Sequence, residues 1–154
     1  MIDTYVNPEG IREYMNVGRA HIDGFEIQVQ KSFGWIEGTV NYTYLDHRND
    51  IANRPLDALS PDTLNFGLTV RPVGALSLSL YGLYGSRSHW WDSRSGRDLT
   101  IPDYFSLDAV AAYDLGRVEI FVKATNLMND YFYVEPIFPW RGRFFEIGAK
   151  VSVF

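Results

Sequence analysis

The most distinctive polar chemistry in the sequence lies in one stretch that is rich in arginine and tryptophan. Its candidate ligand-binding side chains are Arg87, His89, Trp90, Trp91, Arg94 and Arg97. A guanidinium group binds anions through forked hydrogen bonds and stacks on aromatic rings, so the stretch could hold an anionic ligand. The alternative, and the simpler interpretation, is that the arginines contact phosphates at a membrane surface while the tryptophans lie in an interfacial aromatic belt.

A second aromatic stretch nearer the C-terminus has the same two interpretations. Phe138 and Pro139 are followed there by Trp140 and Arg141. The indole and guanidinium groups could form a lid over a ligand, or they could belong to the surface belt. Trp140 and Arg141 are therefore further candidate ligand contacts.

Catalytic and metal chemistry is not indicated elsewhere in the chain. His21, His47 and His89 are far apart in sequence, which predicts solvated histidines of loops and strand extensions and no metal site. No Ser/His/Asp spacing, phosphate-binding glycine loop or cysteine cluster is present. Glu37 and Asp108 fall on the polar side of their strands, where interior ion networks explain them better than acid-base catalysis does. The sequence predicts neither an enzyme nor a cofactor.

Alternating segments must position these stretches. Strands are predicted over residues 11–31, 35–45, 63–71, 75–85, 104–114, 117–127 and 143–154. One side of each strand is apolar, and the other carries polar or charged groups at mid-strand, where a globular sandwich would have its core. The mid-strand residues expected to face lipid are Phe25, Val40, Phe66, Leu78, Leu107, Ile120 and Ile147. The pattern predicts an all-β, antiparallel, up-and-down transmembrane β-barrel.

The connections alternate in length. Short turns are predicted at 32–34, 72–74 and 115–116, and long connections at 46–61, 86–100 and 128–142. This alternation is typical of outer-membrane barrels, which have short periplasmic turns and long extracellular loops. We therefore expect a periplasmic C-terminus, and an extracellular segment 86–100 that is mobile without ligand. Residues 2–6 and the turn Asn7-Pro8-Glu9-Gly10 would add an outer, non-crossing strand.

Composition agrees with a membrane barrel. Only 21% of the residues are charged while 16% are aromatic, and the net charge of -5 argues against nucleic-acid binding. No apolar run approaches the ~18 residues of a membrane helix. Seven crossing strands are an odd number, whereas closed bacterial barrels usually have an even one, which predicts a segment of a longer parent protein. Alternatively, an eight-stranded barrel could close if residues 2–6 were rearranged.

The end of the chain resembles the closing hairpin of TonB-dependent outer-membrane receptors. The residues that carry the resemblance are Asn126, Leu127, Tyr131, Gly142, Arg143 and Phe154. The resemblance implies that residues 1–154 are a C-terminal barrel segment without a plug domain, in the outer membrane of a Gram-negative cell. It implies uptake of an iron chelate (siderophore) or similar nutrient. The rival interpretation is a self-standing small barrel with a structural or adhesion role.

Several partners follow from the same resemblance. They are outer-membrane lipid and lipopolysaccharide, the barrel-assembly machinery through the C-terminal strand, and a small-molecule metal chelate. Contact with TonB itself is expected only through an N-terminal part that this chain lacks.

The register of the closing hairpin can be predicted from its charges. In an antiparallel pair only residues on the same side of the two strands can lie opposite each other. A single register sets Lys123 opposite Glu146 and Glu119 opposite Lys150, so it neutralises both interior pairs at once. Residues 127–142 then form the connection.

Overall fold

The chain is all-β in the computed structural model, which describes residues 2–16, 19–92, 94–135 and 138–153. Within these ranges the strands, in chain order, are β1 (Ile2–Val6), β2 (Arg12–Asn16), β3 (Ala20–Phe33), β4 (Ile36–Asn49), β5 (Asp62–Val73), β6 (Leu76–Gly85), β7 (Ser88–Asp92), β8 (Arg97–Ile101), β9 (Tyr104–Asp114), β10 (Val118–Thr125), β11 (Tyr133–Glu135), β12 (Phe138–Pro139) and β13 (Phe144–Val151). These ranges contain no helix that is long and apolar enough to cross a membrane.

Seven of the strands form one antiparallel sheet, in the order β13-β10-β9-β6-β5-β4-β3. Strands of this sheet that follow one another along the chain are also neighbours in the sheet. The hairpin β7–β8 is inserted into the connection between β6 and β9, and the pair β11–β12 into the connection between β10 and β13. The predicted up-and-down antiparallel architecture is confirmed, and the sheet has seven strands. Within the described residues the sheet is not closed, because β3 and β13 form its two edges.

The two faces of the sheet differ as the alternation predicts. The register runs without a change of face from Val29 opposite Val40, through Val40 opposite Phe66, to Val70 opposite Leu78 and on to β13. All the residues expected to face lipid consequently share one face: Phe25, Val40, Phe66, Leu78, Leu107, Ile120 and Ile147. Among them Phe25, Val40, Leu78, Ile120 and Ile147 are exposed, Ile147 to 77%, and Phe66 and Leu107 are partly exposed.

The few fully buried apolar side chains lie outside this sheet. Among the described residues, the buried hydrophobic side chains are those of Leu56, Ile101 and Phe132. Leu56 belongs to the connection between β4 and β5, Ile101 ends β8, and Phe132 precedes β11. Packing of the usual globular kind is thus confined to the long connections, which gives them a defined structure.

Aromatic rings lie over glycines of neighbouring strands. The ring of Phe66 covers Gly82 on the apolar face, and that of Phe121 covers Gly148 on the opposite, polar face. A Cβ atom at Gly82 would come 2.1 Å from the Phe66 ring, so a side chain there would displace the ring. Glycine is required at both positions, because the side chain of any larger residue would occupy the space of the aromatic ring.

The closing hairpin has the predicted register. Glu119 lies opposite Lys150, and Lys123 lies opposite Glu146. The same pairing sets Thr125 opposite Phe144, where the two strands end and the connection begins. Contact between the charged groups of each pair stays a prediction. Phe154, which was expected to complete the terminal motif, lies outside the described residues.

The prediction of one long strand over residues 11–31 is wrong. The structure has β2 and β3 in its place, and the two strands have different partners. β2 pairs with β1 around the predicted turn, where the Gly10 N–H donates to the Asn7 carbonyl oxygen at 2.9 Å. β3 instead pairs along its whole length with β4. The two strands are separate because they pair with different strands. The alternation of apolar and polar residues cannot indicate which strand a segment pairs with.

The long connections are more structured than predicted. β4 extends to Asn49, because Ala20 at the start of β3 pairs with it, so the expected loop 46–61 begins later. The segment 86–100 was expected to be a loop but contains the two five-residue strands β7 and β8. The connection 128–142 contains the short pair β11 and β12. The short turns are confirmed, with Gly34 and Gly116 at positive φ.

Candidate functional site

The arginine- and tryptophan-rich stretch forms the β7–β8 hairpin, beyond the long-connection end of the sheet. Trp90 lies opposite Leu99, and Trp91 lies opposite Asp98. Adjacent residues of a strand point to opposite faces, so the two indoles lie on different sides of the hairpin. Both are half-buried. The structure therefore does not combine them into one aromatic surface.

The face that carries His89 and Trp91 packs against the β4–β5 connection. The backbone N–H of Trp91 donates to Asp57 Oδ1 at 2.9 Å, and the Ala58 N–H donates to the His89 carbonyl oxygen at 2.8 Å. The guanidinium of Arg54 lies 4.7 Å from the centre of the Trp91 ring. Through these contacts His89 and Trp91 join the β7–β8 hairpin to the β4–β5 connection. Sequence reasoning missed this role because the partners lie more than thirty positions away in the chain.

The prediction of solvated histidines is wrong for two of the three. His47 is buried, and its Nδ1 accepts a hydrogen bond from the Leu56 N–H at 3.1 Å. The side chain of His89 is only 16% exposed, and its Nε2 lies 3.5 Å from Asp57 Oδ1 and 3.2 Å from Asp98 Oδ1. His21 is exposed, as predicted. Both histidines are covered for the same reason: the β4–β5 connection folds back over their side chains.

The tip of the hairpin is organised by Asp92. Its carboxylate accepts hydrogen bonds from the Ser95 hydroxyl at 2.6 Å and the Arg94 N–H at 3.0 Å. The hydrogen bond from Ser95, with that from Arg94, holds the pKa of Asp92 below its ordinary value. The turn leaves Arg94 and Arg97 exposed, and Arg87 is exposed just before β7. Among the candidate residues of this stretch, these three guanidinium groups are accessible to an anion.

The second aromatic stretch is positioned by a buried asparagine. Asn126 is 1% exposed and has a positive φ of 50°. Its amide nitrogen donates to the carbonyl oxygens of Asp130 at 2.9 Å and Arg141 at 3.0 Å, and its amide oxygen accepts from the Asp130 N–H at 3.3 Å. Its own N–H donates to Asp108 Oδ1 at 2.9 Å. One side chain thus joins both ends of the β10–β13 connection.

Other members of the terminal motif take part in the same arrangement. The Arg143 N–H donates to Asn129 Oδ1 at 3.0 Å, and the Leu127 N–H donates to the Leu107 carbonyl oxygen at 2.7 Å. A Cβ atom at Gly142 would lie 3.4 Å from Asn129 Oδ1, at the edge of tight contact. Tyr131 is 77% exposed, and nothing in the structure explains its presence in the motif.

A stack of three aromatic rings supports Trp140. The rings of Tyr104 and Phe132 lie 4.8 Å apart and nearly parallel, and those of Phe132 and Trp140 lie 5.7 Å apart. The backbone N–H of Trp140 also donates to the Phe132 carbonyl oxygen at 2.8 Å. Trp140 remains 48% exposed. Its indole is therefore fixed in orientation while part of its surface stays accessible.

Trp140 lines a cavity of about 240 Å³ on the polar side of the sheet, with Asn65, Phe66, Tyr81, Gly82, Leu83, Ser106 and Asp108. Tyr81 and Ser106 were not predicted site residues, although the alternation places both on the polar face. The guanidinium of the exposed Arg141 lies 5.0 Å from the centre of the Phe144 ring. The arrangement offers one aromatic surface with nearby hydroxyl, amide and carboxylate groups.

Glu37 and Asp108 share the polar face but do not form a catalytic pair. Two strands, β5 and β6, separate β4 from β9 in the sheet. Glu37 Oε2 lies 3.6 Å from Arg71 Nη1, and Asp108 accepts from Asn126. Each carboxylate thus has a structural partner. Within the described ranges no cluster of three or more metal-ligating side chains occurs.

Comparison with protein families matches residues 1–127 to the model described as TonB dependent receptor-like, beta-barrel. The chain belongs to the TonB-dependent receptor β-barrel family. Members of this family are outer-membrane proteins. No protein with a curated description matches the sequence.

Solved structures of TonB-dependent receptors have the same fold. They include the ferric-catecholate import receptor Fiu from Escherichia coli K12 (TM-score 0.75, 16% identity), which matches 96% of this chain and 23% of its own. The FrpB iron transporter from Neisseria meningitidis has a TM-score of 0.72 and 17% identity, with 96% and 25% covered. A mutant ferric enterobactin receptor from Pseudomonas aeruginosa, in complex with enterobactin, has a TM-score of 0.75 and 16% identity, with 96% and 26% covered. The chain spans about a quarter of the length of these receptors.

Proposed function

We propose that this chain forms part of the wall of an outer-membrane receptor that takes up an iron chelate. The apolar face contacts lipid, and the polar face lines the lumen. Family membership carries the proposal, since the match covers residues 1–127. The structural relatives described as iron transporters or siderophore receptors support iron chelates as the substrate class.

The ligand-facing groups are proposed to lie at the long-connection end. Arg87, Arg94 and Arg97 are exposed there, as is Arg141, and Trp140 has an accessible ring surface. Ferric chelates are commonly anionic and contain planar donor groups, which suit guanidinium and indole contacts. His89, Trp90 and Trp91 shape the hairpin that carries the arginines.

The orientation follows from the connections. The turns between β3 and β4, β5 and β6, and β9 and β10 are short and lie at one end of the sheet, which we assign to the periplasm. The long connections then face the cell exterior, where the arginines that do not touch ligand would contact lipopolysaccharide phosphates. The barrel-assembly machinery would bind the last strand, β13. TonB would act through parts of the receptor other than these residues.

Uptake of radiolabelled ferric chelates by iron-starved cells tests the proposal. The cells express the receptor that contains this segment and lack their other iron-chelate receptors. Uptake should require TonB. It should fall in Arg94→Ala and Arg97→Ala variants, because each lost charged contact costs roughly 1.5 kcal/mol, or about tenfold in affinity. It should also fall in a Trp140→Ala variant, because the accessible indole surface is removed.

Arg117→Ala is the matched control. Arg117 is an exposed arginine at the short-turn end, so its removal should leave uptake unchanged. If no ferric chelate tested is taken up above the level of cells without the receptor, iron-chelate transport is refuted. Equal losses in the Arg117 and Arg94 variants would refute the assigned ligand-facing end.

A further inference from the structure

The cavity beside Trp140 contains a single charged group. Asp108 is the one charged side chain among the described residues that line it. The polar residues that line it with Asp108 are Asn65, Tyr81 and Ser106, whose amide and hydroxyl oxygens can accept hydrogen bonds. A cationic group that enters the cavity is attracted by the carboxylate, whereas an anionic group is repelled. The charge of the cavity therefore favours a cation.

A neighbouring cavity on the same polar face has a different charge balance. It has a volume of about 480 Å³ and is lined by both Glu37 and Arg71. Glu37 Oε2 lies 3.6 Å from Arg71 Nη1, so the carboxylate is neutralised within its own cavity. The cavity beside Trp140 has no such cation among its described lining residues. Its negative charge remains available to a ligand.

The Asp108 carboxylate is fixed in place but only partly used. Its Oδ1 atom accepts a hydrogen bond from the backbone N–H of Asn126 at 2.9 Å, and within the described part of the chain Oδ2 has no hydrogen-bond or ion-pair partner. Lys123 lies on the same face of the sheet, opposite Val110 on one side and Glu146 on the other. It forms no ion pair with Asp108 in the structure. One carboxylate oxygen is therefore free to accept from a ligand.

Two aromatic rings beside this carboxylate favour the same sign of charge. Tyr81 lies directly opposite Asp108 in the sheet, and its ring covers Gly67, where a Cβ atom would lie 3.3 Å from the ring. Trp140 is held by its ring stack, and both Tyr81 and Trp140 remain 48% exposed. The face of an aromatic ring attracts cations through its quadrupole. Carboxylate and rings thus act together.

We propose that the cavity beside Trp140 binds a protonated amine. The ammonium group has several N–H donors, which suit the oxygens of Asp108, Ser106 and Asn65, and its alkyl stem would pack on the aromatic rings. The cavity volume of about 240 Å³ is below the ~300 Å³ at which pockets for whole drug-sized ligands begin, so it suits one arm of a larger molecule. The inference rests on the proposed function in one respect, since it takes this molecule to be the transported chelate.

Three probes of equal length test the charge preference directly. They are butylammonium, 1-butanol and butyrate, which differ mainly in the charge of one end. Saturation-transfer NMR measures their affinities for the full receptor in lipid nanodiscs, without iron chelate. Butylammonium should bind about tenfold more tightly than 1-butanol, because it gains a charge-assisted hydrogen bond, and butyrate should bind most weakly. Equal affinities, or tighter binding of butyrate, would overturn the proposal.

Two matched variants locate the preference. Asp108→Asn removes the charge and keeps an oxygen that can accept from the Asn126 N–H, so it should abolish the preference for butylammonium. Glu37→Gln removes a carboxylate from the neighbouring cavity and should leave the preference intact. A preference that persists in Asp108→Asn, or that is lost equally in Glu37→Gln, contradicts the assigned cavity. The probe comparison uses the unaltered receptor, so it decides even if Asp108→Asn folds poorly.

Uptake then shows whether the amine belongs to the chelate. A ferric chelate that ends in a primary amine should be taken up faster than its N-acetyl derivative, which has no charge at that end. If neither chelate is taken up while butylammonium is preferred, iron-chelate transport fails and the amine site stands. Equal uptake of both chelates would refute the amine as an arm of the transported molecule.

Discussion

The amide nitrogen of Asn126 donates a hydrogen bond to the carbonyl oxygen of Arg141, 3.0 Å away across the β10–β13 connection. Asn126→Ala removes this bond and the two with Asp130, so three hydrogen bonds of a buried side chain are lost. We expect a loss of about 1–3 kcal/mol in the free energy of unfolding, measured by denaturant titration in detergent. Asn126→Gly is the control for the positive φ. If Gly restores full stability, the hydrogen bonds are unimportant.

Arginine substitutions should distinguish the two faces of the sheet. Leu78 lies on the apolar face and is 41% exposed, and its neighbour Ser77 lies on the polar face. Leu78→Arg should destabilise by about 2–4 kcal/mol if it lies near the bilayer midplane, and Ser77→Arg by little. Refolding titrations of the receptor into lipid vesicles measure the difference. Equal costs would refute the lipid-facing assignment.

Two glycine substitutions should have different effects on stability. Gly82→Ala forces the Phe66 ring from its place, and overpacking of this kind costs roughly 1–3 kcal/mol. Gly38→Ala, on the same apolar face of β4, meets no atom within 4 Å and should be neutral or stabilising by about 0.5 kcal/mol. Unfolding free energies of the two variants in the same lipid provide the test. A neutral Gly82→Ala would show that the ring moves without cost.

The charges of the closing hairpin should be energetically coupled. Glu119 and Lys150 lie directly opposite each other on the polar face. We expect a coupling energy of about 0.2–1 kcal/mol from a double-mutant cycle with Glu119→Gln and Lys150→Gln. The coupling should fall at high salt, because screening weakens accessible ion pairs. A cycle without coupling would mean that both charges are solvated independently.

The hairpin tip should respond to acid through Asp92. Because its folded-state pKa is below the ordinary value of 3.8, the stabilisation is fully present above that value and is lost as pH falls through the folded-state pKa. Ser95→Ala removes the first of its causes and should raise the pKa of Asp92. Carboxyl carbon shifts in an NMR titration measure this. An unchanged pKa would show that the Ser95 hydroxyl is not bonded in solution.

Much of the sheet could be predicted because its signal is local. Each crossing strand repeats apolar and polar residues with a period of two, as Phe25, Ile27 and Val29 do on β3, and this period needs no knowledge of distant contacts. The register of the last hairpin could be predicted because its charges permit one pairing that satisfies both Lys123 and Lys150.

The site could be predicted only in part, because its geometry depends on contacts between distant residues. The Arg94 and Arg97 side chains were identified from their type alone, and the structure leaves both exposed. The contacts of Asp57 with Trp91 and of His47 with Leu56 have no signature in the sequence. These contacts turn a predicted loop into a packed hairpin and convert two expected surface histidines into structural ones.

The directions of the two edge strands determine how the sheet can be closed. β3 and β13 are the first and last of seven strands that alternate in direction, so they run the same way. Joining one edge to the other, within one chain or between copies inserted in the same orientation, would create a parallel seam. A polypeptide that completes this wall by antiparallel pairing alone must therefore contribute an odd number of strands.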